Sequence, residues 1–233
     1  MPQISKHILD IQYARWTALT NEVNHFSLAK NPQISILAAT KYGTAEEAAG
    51  LIQAGATLIG ENRISDAESR LQELATMALP PFSAHFIGTL QRNKVKRALT
   101  LFSCIQSMDR DALFTEVQKE CHAQGRTIDV MIQINTGGEA AKSGYSIPEV
   151  LAKHPHLFTF PNIKIIGIMA VTPFFPNPEE VRPLFKSAHR LFSDLQALYP
   201  ALIHLSMGMS QDYRVAIQEG ATMIRIGSVL YGR

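Results

Sequence analysis

The chain has 233 residues; 46% are hydrophobic, 18% are charged, and the formal net charge at pH 7 is +2. This composition is typical of a folded globular protein, the length fits one large α/β domain or two small ones, and so small a net charge gives no reason to expect a nucleic-acid partner. The two cysteines, Cys104 and Cys121, lack the paired spacing of a zinc site or a disulfide framework. The sequence shows no secretory signal and no apolar run long enough to span a bilayer. We therefore expect a cytoplasmic protein with no membrane partner.

Residues 5–29 predict an N-terminal helix, because apolar residues recur there at helical spacing. After a break at 31–33, apolar runs typical of buried strands alternate with segments typical of helices. The predicted strands are 34–40, 56–60, 84–88, 102–107, 128–134, 163–171, 202–206 and 222–226. The predicted helices between them are 45–54, 63–77, 90–99, 109–124, 146–158, 178–198 and 210–219.

Eight apolar strands that alternate with helices predict a single (β/α)8 barrel of the TIM type over residues 1–233, with an extra N-terminal helix. A doubly wound open sheet is the main alternative, but neither nucleotide-binding glycine motif of such sheets is present. In a barrel, functional residues cluster at the C-terminal ends of the strands. That rule selects the residues considered next.

The first predicted strand, "ISILAAT", is followed directly by Lys41. An amine at the mouth of a barrel can form a Schiff base with an aldehyde. A solvated lysine or a structural ion pair is the alternative interpretation.

Two turns follow the last two predicted strands, in "HLSMGMSQDY" (204–213) and "MIRIGSVLYG" (223–232). Ser206 and Ser210 in the first turn, with Gly227 and Ser228 in the second, offer hydroxyls and an approachable backbone, where barrel enzymes often bind phosphate. The alternative for the first turn is simple N-capping of the next helix by Ser210. Arg225 lies inside an apolar strand, and a salt bridge to Glu61 or Asp109 would explain it without a ligand.

Three further features have weaker signals. Asn62, in "GENR", either donates to a ligand oxygen or caps the next helix. The basic segment 85–97 is more simply a solvated helix face than a phosphate or RNA site, and the chemistry of the glycine-rich stretch 135–144 is not evident from its spacing. The histidines form no metal-binding pattern, and Cys104 on a buried strand is better explained as core than as a nucleophile.

Seven motifs, in order along nearly the whole chain, resemble the YggS/PROSC family, the pyridoxal phosphate homeostasis proteins. They are "AATKYG", "IGENR", "HFIGTLQRNK", "IQINTGGEAAKSG", "GIMAVTP", "LSMGMSQDY" and "IRIGSVLYG". The resemblance implies one (β/α)8 barrel similar to the N-terminal domain of alanine racemase.

The resemblance also implies a cofactor, pyridoxal 5′-phosphate (PLP), and a role for each of several residues. Lys41 matches the lysine that carries PLP as a Schiff base, and Arg225 matches the arginine that faces the pyridine nitrogen. Phosphate-binding positions are matched by Ser206, Gly227 and Ser228. Asn62 and Met169 match positions that line the ring.

We therefore expect a monomeric PLP-binding protein of intracellular PLP homeostasis, which holds PLP without enzymatic turnover and passes it to apo-enzymes. A racemase needs a second acid/base group on the other face of PLP, and after the barrel the sequence leaves no residues for a domain that would bring one. A single-domain amino-acid racemase and, with less support, a Schiff-base aldolase acting through Lys41 remain the alternatives.

Overall fold

A computed structural model describes residues 4–27, 34–138 and 143–232. All eight strands are parallel, each pairs with its neighbour in chain order, and β8 pairs with β1 to close a barrel. The strands are β1 Ser35–Ala39, β2 Leu58–Glu61, β3 Ser83–Phe86, β4 Cys104–Met108, β5 Ile128–Asn135, β6 Ile163–Val171, β7 His204–Ser206 and β8 Met223–Ile226. The predicted (β/α)8 barrel is confirmed, and the open sheet is excluded.

Helices follow the strands around the barrel. They are α1 Lys6–Phe26, α2 Ala45–Gln53, α3 Ile64–Ala75, α4 Val95–Leu101, α5 Asp111–Ala123, α6 Ile147–Leu157, α7 Arg182–Leu198, α8 Tyr213–Gln218 and α9 Ser228–Tyr231. The extra N-terminal helix is confirmed as α1, which packs against α2, α8 and α9. The short α9 was not predicted, because four residues carry no periodicity.

Two local signals in the sequence set the ends of helices. Thr44 and Glu47 form a reciprocal capping box at the start of α2, as their spacing predicts. Gly220 follows α8 with a φ of +93°, a left-handed conformation that favours glycine after a helix. These signals fix where the chain leaves one element and enters the next.

Side chains that point inward from the strands fill the barrel with a small apolar cluster. Its buried members are Leu37, Cys104, Met131, Ile166, Met169 and Met223. Cys104 is buried within this cluster, which confirms the interpretation of Cys104 as core, and burial raises the pKa of its thiol. A larger apolar cluster lies between strands and helices. The interior is therefore packed below the C-terminal ends of the strands.

Candidate functional site

Lys41 lies in a short 3₁₀ turn, Thr40–Tyr42, directly after β1. It is exposed toward a cavity of about 790 Å³ at the C-terminal ends of the strands. Its Nζ lies 4.7 Å from the centroid of the Tyr42 ring, a cation–π contact. The backbone of the turn, rather than burial of the amine, delivers Lys41 to the cavity.

A buried ion pair holds this turn from below. The Glu61 carboxylate, which is fully buried, accepts hydrogen bonds from the Thr40 hydroxyl and from Arg70 Nε, the latter at 2.7 Å. Arg70 also donates from Nη1 to the Gly43 carbonyl at 2.6 Å. Burial raises the pKa of Glu61, while Thr40 and Arg70 oppose that effect. Glu61 and Arg70 thus fix the residues on both sides of Lys41 and Tyr42.

Arg225 reaches the cavity from inside the barrel. Its Nη1 donates to the carbonyl and the hydroxyl of Ser206, both at 2.8 Å, and its Nη2 donates to the Ala170 carbonyl at 3.0 Å. Burial lowers the pKa of Arg225 to about 10, opposed by the negative charge of Asp212. The guanidinium is therefore a cation at neutral pH that is held by neutral acceptors.

The interpretation of Arg225 as the partner of Glu61 or Asp109 is wrong. Glu61 pairs with Arg70, and Asp109 pairs with Arg110. The contacts of Arg225 are instead oxygens of β6 and β7 on the neighbouring side of the barrel. A buried cation that faces a cavity and is held by neutral oxygens is suited to an acceptor atom of a ligand.

Two serines and one glycine form a second polar group at the cavity wall. Ser210, Gly227 and Ser228 all line the cavity, and the Gly227 N–H donates to Ser210 Oγ at 3.2 Å. Ser210 is not the N-cap of α8, because that position is Asp212. Because Ser210 Oγ accepts from this amide, its own hydrogen remains to be donated, and the two serine hydroxyls are donors suited to an anion such as phosphate.

The structure brings six of the seven predicted site residues to one cavity. Its lining contains Lys41, Asn62, Met169, Arg225, Gly227 and Ser228. Asn62 is not a helix cap, because the N-cap of α3 is Arg63. The seventh residue, Ser206, is fully buried and outside the lining, and its hydroxyl donates to Gln106 Oε1 at 2.8 Å.

Ser210 lines the cavity, although the family resemblance implies a phosphate role for Ser206 and not for Ser210. It follows Ser206 by four residues in the same motif, so the sequence offered both serines. Gly208 separates them with a φ of +90° and turns the chain toward the cavity. The choice between the two hydroxyls depends on that turn, which the motif does not specify.

A mainly apolar part of the cavity wall comes from the segment between β6 and α7. Its residues at the cavity are Thr172, Pro173, Phe174, Phe175, Pro178 and Val181. Phe174 is 68% exposed, so this wall continues to the outer rim. The cavity thus combines the polar groups of Lys41 and Arg225 with a mainly apolar segment of wall.

The structure describes the whole of the basic segment 85–97 but only part of the glycine-rich stretch 135–144. In the basic segment, Arg92, Lys94, Lys96 and Arg97 are all exposed, and Arg97 Nε donates to Glu68 at 3.0 Å, consistent with a solvated helix face. Residues 139–142 of the glycine-rich stretch, with Glu139 and Lys142, lie outside the described residues.

The described residues offer neither a membrane-spanning helix nor a cluster of metal ligands. None of the helices they form is long and apolar enough to cross a membrane. No group of three or more histidine, cysteine, aspartate or glutamate side chains within the same residues is placed to hold a metal ion.

Residues 17–233 match the sequence profile of the alanine racemase N-terminal domain. The pyridoxal phosphate homeostasis protein of Aquifex aeolicus (strain VF5) is 39% identical over 198 residues, which cover 84% of this chain and 86% of that protein. The chain belongs to the family of pyridoxal phosphate homeostasis proteins.

Solved structures agree with this membership. PipY of Synechococcus elongatus PCC7942, determined with PLP bound, is 29% identical to this family member, with a TM-score of 0.83 over 95% of this chain and 100% of that one. Alanine racemase of Clostridium difficile 630 is 14% identical, with a TM-score of 0.72 over 94% of this chain and 56% of that one. The racemase likeness shows a shared barrel fold alone.

Proposed function

We propose that this protein binds PLP in the cavity and serves intracellular PLP homeostasis. One observation carries the proposal: a primary amine, a buried guanidinium and a pair of hydroxyls line the same cavity, at Lys41, Arg225, Ser210 and Ser228. PLP presents an aldehyde, a ring nitrogen and a phosphate, which are the groups that such donors recognise. The relatives' shared name and the PLP bound to PipY support the same conclusion.

Each residue has a role that follows from its chemistry. When bound, PLP supplies an aldehyde carbon that bonds covalently to an amine, and Lys41 Nζ is the amine in the lining. The hydroxyls of Ser210 and Ser228, with the backbone of Gly227, hold the phosphate. Asn62 and Met169 line the ring. Ser206 does not contact the phosphate in this proposal, because it is buried behind Arg225.

Arg225 suits a protein that holds PLP more than one that activates it. A guanidinium only donates hydrogen bonds, and at a pKa of about 10 it keeps its protons at neutral pH. Facing the pyridine nitrogen, Arg225 leaves that atom unprotonated. An unprotonated ring is a weaker electron sink, which disfavours chemistry at an amino-acid substrate.

The titratable groups at the cavity support the same distinction. In the described lining they are Lys41, Tyr42, Arg63, Asp212 and Arg225. Racemisation needs acid/base groups on two faces of the substrate, but Lys41 and Tyr42 belong to one turn. Asp212 accepts a hydrogen bond from the Met209 N–H at 2.6 Å, and its negative charge favours the protonated form of Arg225. We infer a carrier, acting as a single-barrel monomer in the cytoplasm, with apo-PLP enzymes as recipients.

The test starts with purified protein and added PLP. We expect the protein to gain visible absorbance and, after reduction with borohydride, to carry a stable adduct that peptide mass spectrometry maps to Lys41. In Lys41→Ala we expect both the absorbance and the adduct to be lost. Lys186→Ala, which removes an exposed lysine on α7, is the matched control and keeps both. A protein that gains no absorbance would refute PLP binding.

The same preparations then separate a carrier from an enzyme. Loaded protein is expected to reactivate an apo-PLP enzyme, and alanine or serine is expected to keep its optical rotation in its presence. Robust racemisation that Lys41→Ala abolishes would establish the racemase alternative instead. Cleavage of a sugar phosphate without PLP, lost in the same variant, would establish the aldolase.

A further inference from the structure

Arg225 is the first member of a hydrogen-bonded chain that crosses the barrel interior. Its Nη1 donates to Ser206 Oγ at 2.8 Å, and that hydroxyl donates to Gln106 Oε1 at 2.8 Å. Gln106 Nε2 lies 3.0 Å from His85 Nδ1 and 3.2 Å from the Met223 sulfur. The chain links β8, β7, β4 and β3, so Gln106 connects Arg225 to strands on the far side of the barrel.

All four members are protected from water. Gln106 and Ser206 are fully buried, and His85 and Arg225 are 7% and 8% exposed. Buried polar groups of this kind keep their partners, because losing one leaves its neighbour unsatisfied. The chain is therefore a fixed feature of the interior.

The direction of every bond in the chain follows from Arg225. A guanidinium can only donate, so Ser206 Oγ accepts from Arg225; the Gln106 carbonyl oxygen can only accept, so the Ser206 hydroxyl donates its hydrogen to Gln106. Gln106 then presents its carbonyl oxygen to Ser206 and its amide N–H to His85 Nδ1. His85 can accept only in its neutral form, and burial lowers the pKa of His85 to about 4.

We propose that Gln106 is a positioning residue for Arg225. It fixes the Ser206 hydroxyl with a lone pair toward the guanidinium, which holds Arg225 in one orientation at the cavity. Gln106 is not in the cavity lining, so it acts on a ligand only through Ser206 and Arg225. This inference rests on the proposed PLP function for its consequence, but the fixing of Arg225 can be measured without PLP.

The first measurement uses the protein without PLP. Resolved Nη–H signals of Arg225 are expected in an NMR spectrum of the arginine side chains, since a held guanidinium rotates slowly; Arg225→Lys assigns them. Gln106→Leu removes the hydrogen bonds that the side-chain amide makes with Ser206 and His85. In this variant we expect the Nη–H signals of Arg225 to merge. Gln106→Glu keeps an acceptor for Ser206 and is expected to retain them. Gln12→Leu is the matched control, because Gln12 is a glutamine 1% exposed on α1, outside the barrel interior.

The second measurement uses PLP-loaded protein. Gln106→Leu is expected to shift the visible absorbance of bound PLP in the same direction as Arg225→Lys. It should also speed PLP release about tenfold, the size expected if a displaced Arg225 loses about one hydrogen bond to PLP. Gln106→Glu, which keeps an acceptor for Ser206, should release PLP more slowly than Gln106→Leu does, and Gln12→Leu should release it at the wild-type rate. If Gln106→Leu does not fold, Ser206→Ala breaks the same chain with a smaller change and is expected to give the same shifts.

The outcomes are separable. Unchanged Nη–H signals in a folded Gln106→Leu or Ser206→Ala variant would overturn the positioning role, as would equal effects of Gln106→Leu and Gln12→Leu. If wild-type protein forms no adduct at Lys41, the proposed PLP function fails, while the NMR comparison still decides whether Gln106 fixes Arg225.

Discussion

The ring of Tyr42 lies directly against the backbone of Gly227. A β-carbon on residue 227 would lie 2.7 Å from Cε2 and 2.8 Å from Cδ2 of that ring. Tyr42 follows Lys41 in the same turn. The contact between Tyr42 and Gly227 therefore ties the turn that carries Lys41, proposed to bond PLP, to Gly227, proposed to hold the phosphate. A second contact of the same kind joins Gly43 to Tyr231, where a β-carbon would lie 2.0 Å from Cε1.

The first prediction concerns Gly227→Ala. The added methyl group has to displace the Tyr42 ring and with it the Lys41 turn, at a cost typical of overpacking, about 1–3 kcal/mol. We expect a lower free energy of unfolding in urea and a smaller fraction of Lys41 labelled by PLP and borohydride. In Gly227→Ala with Tyr42→Ala the clash is gone, and much of the lost stability should return. If the single variant matched wild type in both measurements, the packing would not constrain the turn.

The second prediction concerns the buried pair below the turn. Arg70 and Glu61 have side chains that are 11% and 0% exposed, so Arg70→Met leaves a buried carboxylate without its cation. We expect a loss of about 3–5 kcal/mol in the free energy of unfolding at pH 7. Glu61→Gln combined with Arg70→Met removes both charges and should recover a large part of that loss.

Urea denaturation of the four proteins in this double-mutant cycle measures the coupling between Arg70 and Glu61. Lys119→Met is the control, because it breaks an ion pair with Glu116 in which Lys119 is 69% exposed. Such a surface pair contributes at most about 1 kcal/mol. Equal losses in Arg70→Met and Lys119→Met would contradict the role of the buried pair.

The barrel and the position of Lys41 could be predicted from the sequence because both are local properties. Each buried strand is a short apolar run, and the C-terminal end of a run can be read directly. Lys41 follows the first run at once, so the rule that functional residues lie at strand ends selects it.

The partners of the buried polar groups could not be predicted in the same way. From the sequence, a carboxylate was the expected partner of Arg225. Its acceptors are instead neutral oxygens of Ser206 and Ala170. The register of β6, β7 and β8 brings these oxygens to Arg225. Glu61 pairs with Arg70, which comes from a helix rather than from a strand end. Such pairings depend on which groups the closed barrel brings together. The spacing of residues along the sequence does not predict which groups these are.

The third prediction separates the two serines of the motif that follows β7. Ser210 lines the cavity and Ser206 does not, so Ser210→Ala and Ser228→Ala should each weaken PLP retention by about 1–3 kcal/mol, as for hydrogen bonds to a charged group. Equilibrium dialysis of the loaded proteins gives the comparison. Pyridoxal, which lacks the phosphate, should bind wild type and both variants equally, whereas Ser206→Ala should weaken pyridoxal and PLP alike.

Ser187→Ala is the control for these variants, because Ser187 is exposed on α7 and bonds only locally, to the Pro183 carbonyl at 3.0 Å. It should retain PLP as wild type does. A phosphate-dependent loss in Ser206→Ala that exceeded the loss in Ser210→Ala would assign the phosphate to Ser206 instead.

The last prediction concerns pH and His85. Burial, reinforced by the neighbouring His204, lowers the pKa of His85 from 6.5 to about 4. The unfolded chain therefore takes up this proton at a higher pH than the folded protein does. The stability contributed by neutral His85 is fully present above pH 6.5 and is lost as the pH falls toward 4, with a total loss of roughly 3 kcal/mol.

Other buried groups titrate in the same range, so the informative quantity is the difference between wild type and His85→Asn. The asparagine offers an acceptor to Gln106 but takes up no proton, so its free energy of unfolding should fall less steeply between pH 6.5 and 4. Burial raises the pKa of Asp212 and of Glu61, and because both variants retain these carboxyls, their effect cancels in the difference. His7→Asn, at an exposed position on α1, should follow wild type. Parallel curves for wild type and His85→Asn would show that His85 is not held neutral in the folded protein.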